Sequence, residues 1–337
     1  MQEADSPIEQ QTSFDCRSYI RKKYKEKNLD DSAIEIILAS LSNNTYKQYN
    51  TELKKWHQYC TKYNLDITCF NVNTVIHFLT EQFNLGAKYG SLNSMRSAIS
   101  LVTHEDLSNN PDLKRLFKGF FRLRPTEPKY NFTWDLDIVL SELESWGSSE
   151  DLKLEDLSLK LVMLLALCTS FRAQSLSLIK VTNIKSSALG VEFTITDIIK
   201  TSRPGANTPY AYLPFFKERP NICAASAVLI YLNRTKNIRG ETQNLILSWK
   251  KPHKAISSET IGRWLKKVLK KSKIDEQFTG HSTRHASSSK AFYKGFDVNS
   301  IKHVVGWSER SKVFSKFYNR TIKNSHENYA NTICNSL

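Results

Sequence analysis

Apolar positions recur along the first third of the chain in steps that alternate between three and four. Tyr46, Tyr49, Leu53, Trp56, Cys60 and Tyr63 mark one such series, the spacing of a single face of an amphipathic helix. The polar run SNN at 42–44 stands just ahead of it and offers N-cap side chains. A shorter stripe of Ile34, Ile37, Leu38 and Leu41 follows Asp30 and Asp31, either of which can cap it. Val75, Ile76, Leu79 and Phe83 form a third stripe stopped by Gly86. Leu92, Met95, Ile99 and Val102 form a fourth, and Leu113, Leu116, Phe117 and Phe120 a fifth. The pattern predicts a small helical domain over 42–124, preceded by an N-terminal extension, 1–41, with one or two helices.

Residues 125–134 break the periodicity with two prolines and few apolar residues, and Asp135 can cap the helix that follows. This segment reads as a linker to a second domain, 135–337. There LEDLSLKLVMLLALCTSF (154–171) is apolar nearly all round, as expected of a helix buried at a domain centre. GVEFTITDIIKTSRP (190–204) and YAYLPFF (210–216) are β-rich runs joined by a turn-forming cluster around Pro204, Gly205 and Asn207. Helices are predicted again over 222–236, 258–272, 282–294, 297–305 and 308–319. The fold class is therefore mainly α with a small antiparallel hairpin, in two domains.

Charge changes the picture. The net charge is +15, but residues 1–124 carry only +3 and residues 125–160 carry −6, while residues 161–337 carry +18. A C-terminal half this basic draws a polyanion, and double-stranded nucleic acid is the default partner. No run of eighteen apolar residues suggests a membrane span, and residues 1–30 have no apolar core of a secretory leader. Six scattered cysteines without Cys-x-x-Cys spacing point to reduced thiols in an intracellular protein.

The chemistry concentrates in FTGHSTRHASSS (278–289). His281 and His285 stand four apart, a spacing that zinc proteases use. The general-base glutamate of those enzymes is missing, because position 282 is Ser, and no third ligand follows at metal spacing. His57, Cys60 and Cys69 make an equally thin metal pattern. No phosphate-cradling glycine loop is present, and residues 161–337 hold only ten carboxylates. With so few carboxylates, phosphoryl chemistry here must lean on cations and neutral donors. Metal-free stabilisation of a pentavalent phosphorane needs guanidinium forks, an acid for the leaving oxygen and a nucleophile. Candidates in chain order are Arg172 after the buried helix, Lys200 near the hairpin tip, His281 and Arg284 at a helix start, Trp307 after Gly306, and Tyr318. Arg203 rivals Lys200, and Tyr293 and Tyr329 rival Tyr318.

The order Arg, Lys, His-x-x-Arg, Gly-Trp, Tyr resembles the tyrosine recombinase (integrase) family. The string GHSTRHASSSKAFYKG with VVGWSERSKVFSKFYNR is most similar to recombinases of eukaryotic mobile elements of the Crypton and DIRS type. The motifs cover 154–320, and 42–124 looks more loosely like the family's helical core-binding domain. This resemblance implies that Arg172 and Arg284 clamp the scissile phosphate and that Lys200 protonates the departing 5′ oxygen. His281 would assist proton transfer, Trp307 would donate its indole N–H to a phosphate oxygen, and Tyr318 would form a 3′-phosphotyrosyl bond. His285 then becomes a packing residue. The chain departs from the family in carrying Ser175, preceded by Gln174, where many members have an acid three residues after the first arginine. The interval from Trp307 to Tyr318 is also slightly long.

The expected architecture is a two-domain clamp on duplex DNA, working as a homodimer on each site and a homotetramer at synapsis, in the nucleus, without metal or cofactor. Arg263, Lys266, Lys267, Lys270 and Lys271 on the 258–272 helix, with Arg203 at the hairpin, are candidate DNA contacts. Two other readings fit the same chemistry less well: a domesticated DNA-binding protein without catalysis, and a type IB topoisomerase.

Overall fold

The computed structural model describes residues 14–127, 130–307, 321–322 and 332–334. It divides into two compact units, Met1–Glu127 and Pro128–Leu337.

The first unit is helical: α1 (Cys16–Glu26), α2 (Asp31–Ala39), α3 (Asn43–Lys62), α4 (Val72–Asn84), α5 (Tyr89–Ile99) and α6 (Pro111–Leu123). Short polar side chains start these helices. Asp30 accepts from Ala33 N at 2.7 Å, Ser42 from Thr45 N at 3.2 Å, and Asn71 from Thr74 N at 3.0 Å. Asn110 accepts from the amides of Asp112 and Leu113 ahead of α6, whose first residue is Pro111. The stripes meet in one core around Leu53, Trp56, Phe78, Leu79, Leu92 and Leu113. Trp56 is fully buried, and its indole N–H donates to Ile67 O at 3.0 Å. Cys16 and Ile20 of α1 and Ile34 and Leu38 of α2 belong to the same core. Asn50 of α3 docks α1 with both ends of its amide, accepting from Cys16 N at 2.7 Å and donating to Phe14 O at 3.0 Å.

In the second unit, Asp135 caps α7 (Leu136–Ser145), as its position predicts. The apolar run becomes α8 (Leu154–Thr169), in which every residue from Leu157 to Leu167 is buried. It carries one cation: Lys160 is fully buried and donates to Gly147 O at 2.6 Å, and burial pushes its pKa down to about 8. Short α9 (Ala173–Ser177) follows.

The sheet has three antiparallel strands, β2 (Ile184–Ser186), β3 (Gly190–Thr194) and β4 (Tyr210–Pro214), in the order β2-β3-β4. Sequence pattern predicts only the β3–β4 pair; β2 is three residues long and mostly exposed, too short to show alternation. Val191, Phe193, Ala211 and Leu213 face inward, while Glu192, Tyr210 and Tyr212 point out. Gly190 fixes the register, since a Cβ there would lie 2.3 Å from Leu213 O. The ladder ends at Thr194, so the run to residue 204 that reads as β-rich is largely loop.

Helices α10 (Ala224–Thr235), α11 (Ser258–Lys271), α12 (Ser282–Tyr293) and α13 (Val298–Val305) complete the described part. The helix expected over 308–319 lies outside the described residues. A two-stranded parallel ladder pairs β1 (Phe132–Thr133) with β5 (Thr321–Ile322).

Candidate active site

Helix α12 organises the candidate residues. Eight consecutive positions, Ser282 to Ser289, are buried although only Ala286 is apolar. Such a helix is tolerable only if its side chains find partners. Ser282 receives the Trp134 indole N–H at 2.9 Å and donates to Thr279 O at 2.7 Å. Thr283 donates to Gly280 O at 2.8 Å, and Ser288 to Arg284 O at 2.5 Å. The Ser287 hydroxyl meets that of Ser170. The helix start is pressed against α11: a Cβ on Gly280 would stand 3.0 Å from both Gly262 O and Leu265 Cβ.

Arg284 is held at the centre of this structure and is only 2% exposed. Its guanidinium donates to Ser170 O and, at 3.5 Å, to Val305 O. It also lies 5.5 Å from the centroid of the Trp307 ring, within cation–π range. Ser170 ends α8 in a left-handed conformation (φ 51°). The chain then turns through Phe171 to Arg172, which begins α9 with its carbonyl bonded to Leu176 N. At the far end of the guanidinium, Gly306 closes α13 with φ 73°. Bonds from Gly306 N to His303 O and from Trp307 N to Lys302 O deliver the indole. One buried arginine thus ties the Arg172 turn to the Trp307 turn.

His281 stands exposed one turn before Arg284 and its carbonyl accepts from Arg284 N at 3.3 Å. His285 lies one turn further on, its ring 5.6 Å from that of His281 and 5.7 Å from that of Tyr130. Tyr130 in turn shares a 3.0 Å hydrogen bond with Thr279. His285 is buried among rings, as expected of packing. His57 likewise sits against the rings of Phe14 and Tyr19.

Lys200 lies in the β3–β4 connection, exposed, with its backbone N–H donating to the Gln174 side-chain oxygen at 3.3 Å. That contact joins the Lys200 loop to α9, two residues beyond Arg172. Arg203 is exposed in the same loop. Tyr318 and Tyr329 lie outside the described residues, and Tyr293 is half-exposed at the end of α12.

The five basic candidates on α11 divide. Lys267 pairs with Glu155 and Lys271 with Asp156 at 2.9 Å, both acids in the first turn of α8. Lys271 also lies over Trp146, 4.5 Å from its centroid. Lys270 reaches Glu276 at 3.5 Å, and Arg263 and Lys266 are exposed. Pattern reading overlooks a basic turn beside them. Lys250, Lys251 and Lys254 are exposed on a loop closed by Ser248 N to Lys254 O at 2.9 Å and by the His253 ring on Ser248 O at 2.9 Å. Trp249 of this turn stacks on Trp264 of α11 at 4.0 Å. The signal was present as WKKPHK, four basic or imidazole residues around a proline between two short apolar runs.

The profile of the phage integrase family matches residues 146–324, more than half of the chain. A tyrosine recombinase XerC of Leptospira interrogans is 22% identical over 280 residues, spanning 82% of this chain and 83% of that one. Among solved structures, the fold is similar to the XerH site-specific recombinase bound to palindromic difH substrate (TM-score 0.61, 13% identity, 96% and 97% of the two chains). It is also similar to the Tn1549 transposon integrase in complex with transposon right end DNA (TM-score 0.58, 12% identity, 95% and 99%). The chain belongs to the phage integrase family and is a tyrosine recombinase, an enzyme of DNA strand cleavage and rejoining.

Proposed function

We propose that this chain is a metal-independent, site-specific recombinase that integrates or excises a mobile element of the Crypton or DIRS kind in the nucleus. The observation that carries the reading is the buried Arg284, whose guanidinium bonds to the turn before Arg172 and to the turn before Trp307. Tethering of the Lys200 loop to α9 supports it further. In this reading Arg172 and Arg284 hold the non-bridging oxygens of the scissile phosphate as charge builds on them. The Tyr318 hydroxyl oxygen attacks phosphorus while the bond to the 5′ oxygen breaks. His281 assists removal of the phenolic proton, and Lys200 gives a proton to the departing oxygen. The 3′-phosphotyrosyl ester retains the energy needed for rejoining when a new 5′ hydroxyl attacks. A free phenol, with a pKa of about 10, is a weak nucleophile at neutral pH and depends on this cationic setting.

The partner is double-stranded DNA, gripped by both units, with dimers on each site and a tetramer at synapsis. The +18 balance of residues 161–337 supports phosphate contact, with Arg263, Lys266, Lys270 and the Lys250–Lys254 turn as exposed cations. Solved lambda integrase assemblies include a dimer on a core site and a tetramer on a Holliday junction, which is the precedent for that stoichiometry.

A plasmid carrying two direct repeats of the DNA that flanks this chain's gene tests the reading in EDTA. Excision of a circle between the repeats is expected. Relaxation of any supercoiled plasmid, repeats or not, would make the chain a topoisomerase; binding without any product would make it a domesticated binder.

A further inference from the structure

We propose that Gln174 is a positioning residue for strand cleavage, fixing the Lys200 backbone against the turn that carries Arg172. This rests on the reading of Lys200 as the acid for the 5′ oxygen. The loop from 195 to 209 has no regular structure, and its described anchors are few. Ile195 N bonds to Pro209 O at 2.9 Å and closes its base. Lys180 pairs with Asp197 at 2.8 Å, Ile199 is buried, and Ile199 and Ser202 bond to each other. These contacts hold the stem and the turn around Lys200. The Gln174 oxygen holds the amide of Lys200 itself, at 3.3 Å.

The bond matters because a lysine ammonium is a point donor on a flexible four-carbon stem. Any drift of its backbone adds to the volume that the ammonium explores. A general acid must stay within about 3 Å of the atom it protonates, and a displacement of about 1 Å can cost on the order of 100-fold in rate. Gln174 also shares α9 with the Arg172 that begins it, so one short element sets both phosphate ligand and acid. The neutral amide is the fitting acceptor. A carboxylate at this place would draw the Arg172 and Lys200 cations onto itself, in competition with the phosphate.

The test compares wild type, Gln174→Met, Gln174→Glu and Lys200→Ala on a nicked duplex from the DNA flanking the gene, after wild type has located the scissile phosphate. Two versions of that duplex carry oxygen or sulfur as the bridging 5′ atom. In the oxygen duplex the P–O bond breaks and the alkoxide needs a proton; in the sulfur duplex a thiolate leaves without one. Gln174→Met, which keeps length but loses the acceptor, is expected to slow cleavage of the oxygen duplex by about 10- to 100-fold. On the sulfur duplex it should run near the wild-type rate, which also reports that the variant is folded. Gln174→Glu keeps the acceptor for the Lys200 amide but adds a competing charge, so its oxygen-duplex rate should fall between those of Gln174→Met and wild type. A rate at or below that of Gln174→Met would count against the acceptor's role. Equal slowing of Gln174→Met on both duplexes, or none on oxygen, would overturn the positioning role while rescue of Lys200→Ala by sulfur left the acid intact. Failure of sulfur to rescue Lys200→Ala would overturn the acid reading, and the positioning role with it.

Discussion

Helices α11 and α12 are neighbours in sequence, and Gly280 in the segment between them sits close against α11, yet the two are built on opposite plans. In α11 Ile261, Trp264, Leu265, Val268 and Leu269 are buried while Arg263, Lys266, Lys267, Lys270 and Lys271 face solvent. Its place is set by area removed from water, and its cations stay hydrated. In α12 the residues from Ser282 to Ser289 are all buried, and seven of the eight are polar or charged. Its place is set by a chain of specific hydrogen bonds, and its one guanidinium is withdrawn from water. The contrast teaches where function has been invested. A greasy helix at α12 would be easier to bury, but it would not hold a rigid cation between two turns.

Breaking the α12 plan at its centre should have the largest effect. Arg284→Ala is expected to lower covalent DNA cleavage by at least 10²–10³-fold. It also strips donors from Ser170 O and Val305 O and should cost roughly 2–4 kcal/mol in urea unfolding. Arg284→Lys should recover little activity, since an ammonium cannot serve both carbonyls and a phosphate in one plane.

Lys160 on α8 sharpens the contrast, being a buried cation with no candidate role. Its folded pKa of about 8 lies below the unfolded value of about 10.4. Between those values the unfolded chain binds more protons, so the stability contributed by this group rises with pH across that window and is level outside it. Wild type should therefore gain about 2–3 kcal/mol on Lys160→Met between pH 7.5 and 10.5. Unfolding curves at those two pH values measure it; a constant gap would contradict the depressed pKa.

A smaller loss is expected from Ser282→Ala. It removes the acceptor of the buried Trp134 indole N–H and should cost about 1–3 kcal/mol. On α11 the equivalent changes should be nearly silent for folding. Lys267→Ala and Lys271→Ala break partly exposed ion pairs with Glu155 and Asp156 and should each shift stability by less than about 1 kcal/mol. Lys266→Ala should leave stability alone and lower the slope of log affinity against log salt by about 1. A fall in stability there would mean that α11 is not the solvated plan described.

The same contrast explains what pattern reading can reach. The stripes of α3 to α6, the apolar run of α8 and the alternating faces of β3 and β4 declare themselves because burial selects residue type at a fixed period. Helix α12 has no such stripe; it was legible through His281 and Arg284, that is, through chemistry. Strand β2 and the end of β3 at Thr194 were not legible, because short ladders depend on the partner strand more than on their own residues. Nor was the pairing of Lys267 and Lys271 with the first turn of α8, which is a contact across more than a hundred residues of sequence. The contact of Gln174 with Lys200, 26 residues apart, was invisible because it joins a loop without periodic pattern to a five-residue helix, although Gln174 already stood out beside the position where many recombinases of this kind carry an acid.

Covalent trapping tests the central claim most directly. Wild type and Tyr318→Phe would be incubated in EDTA with labelled, nicked DNA from the flanks of the gene and run on a denaturing gel. A protease-sensitive shifted band with wild type alone is the predicted result, and it would name Tyr318 as the nucleophile of a metal-free strand cleavage. A band that persists in Tyr318→Phe, or no band from a wild-type chain that binds the same DNA, would contradict the account.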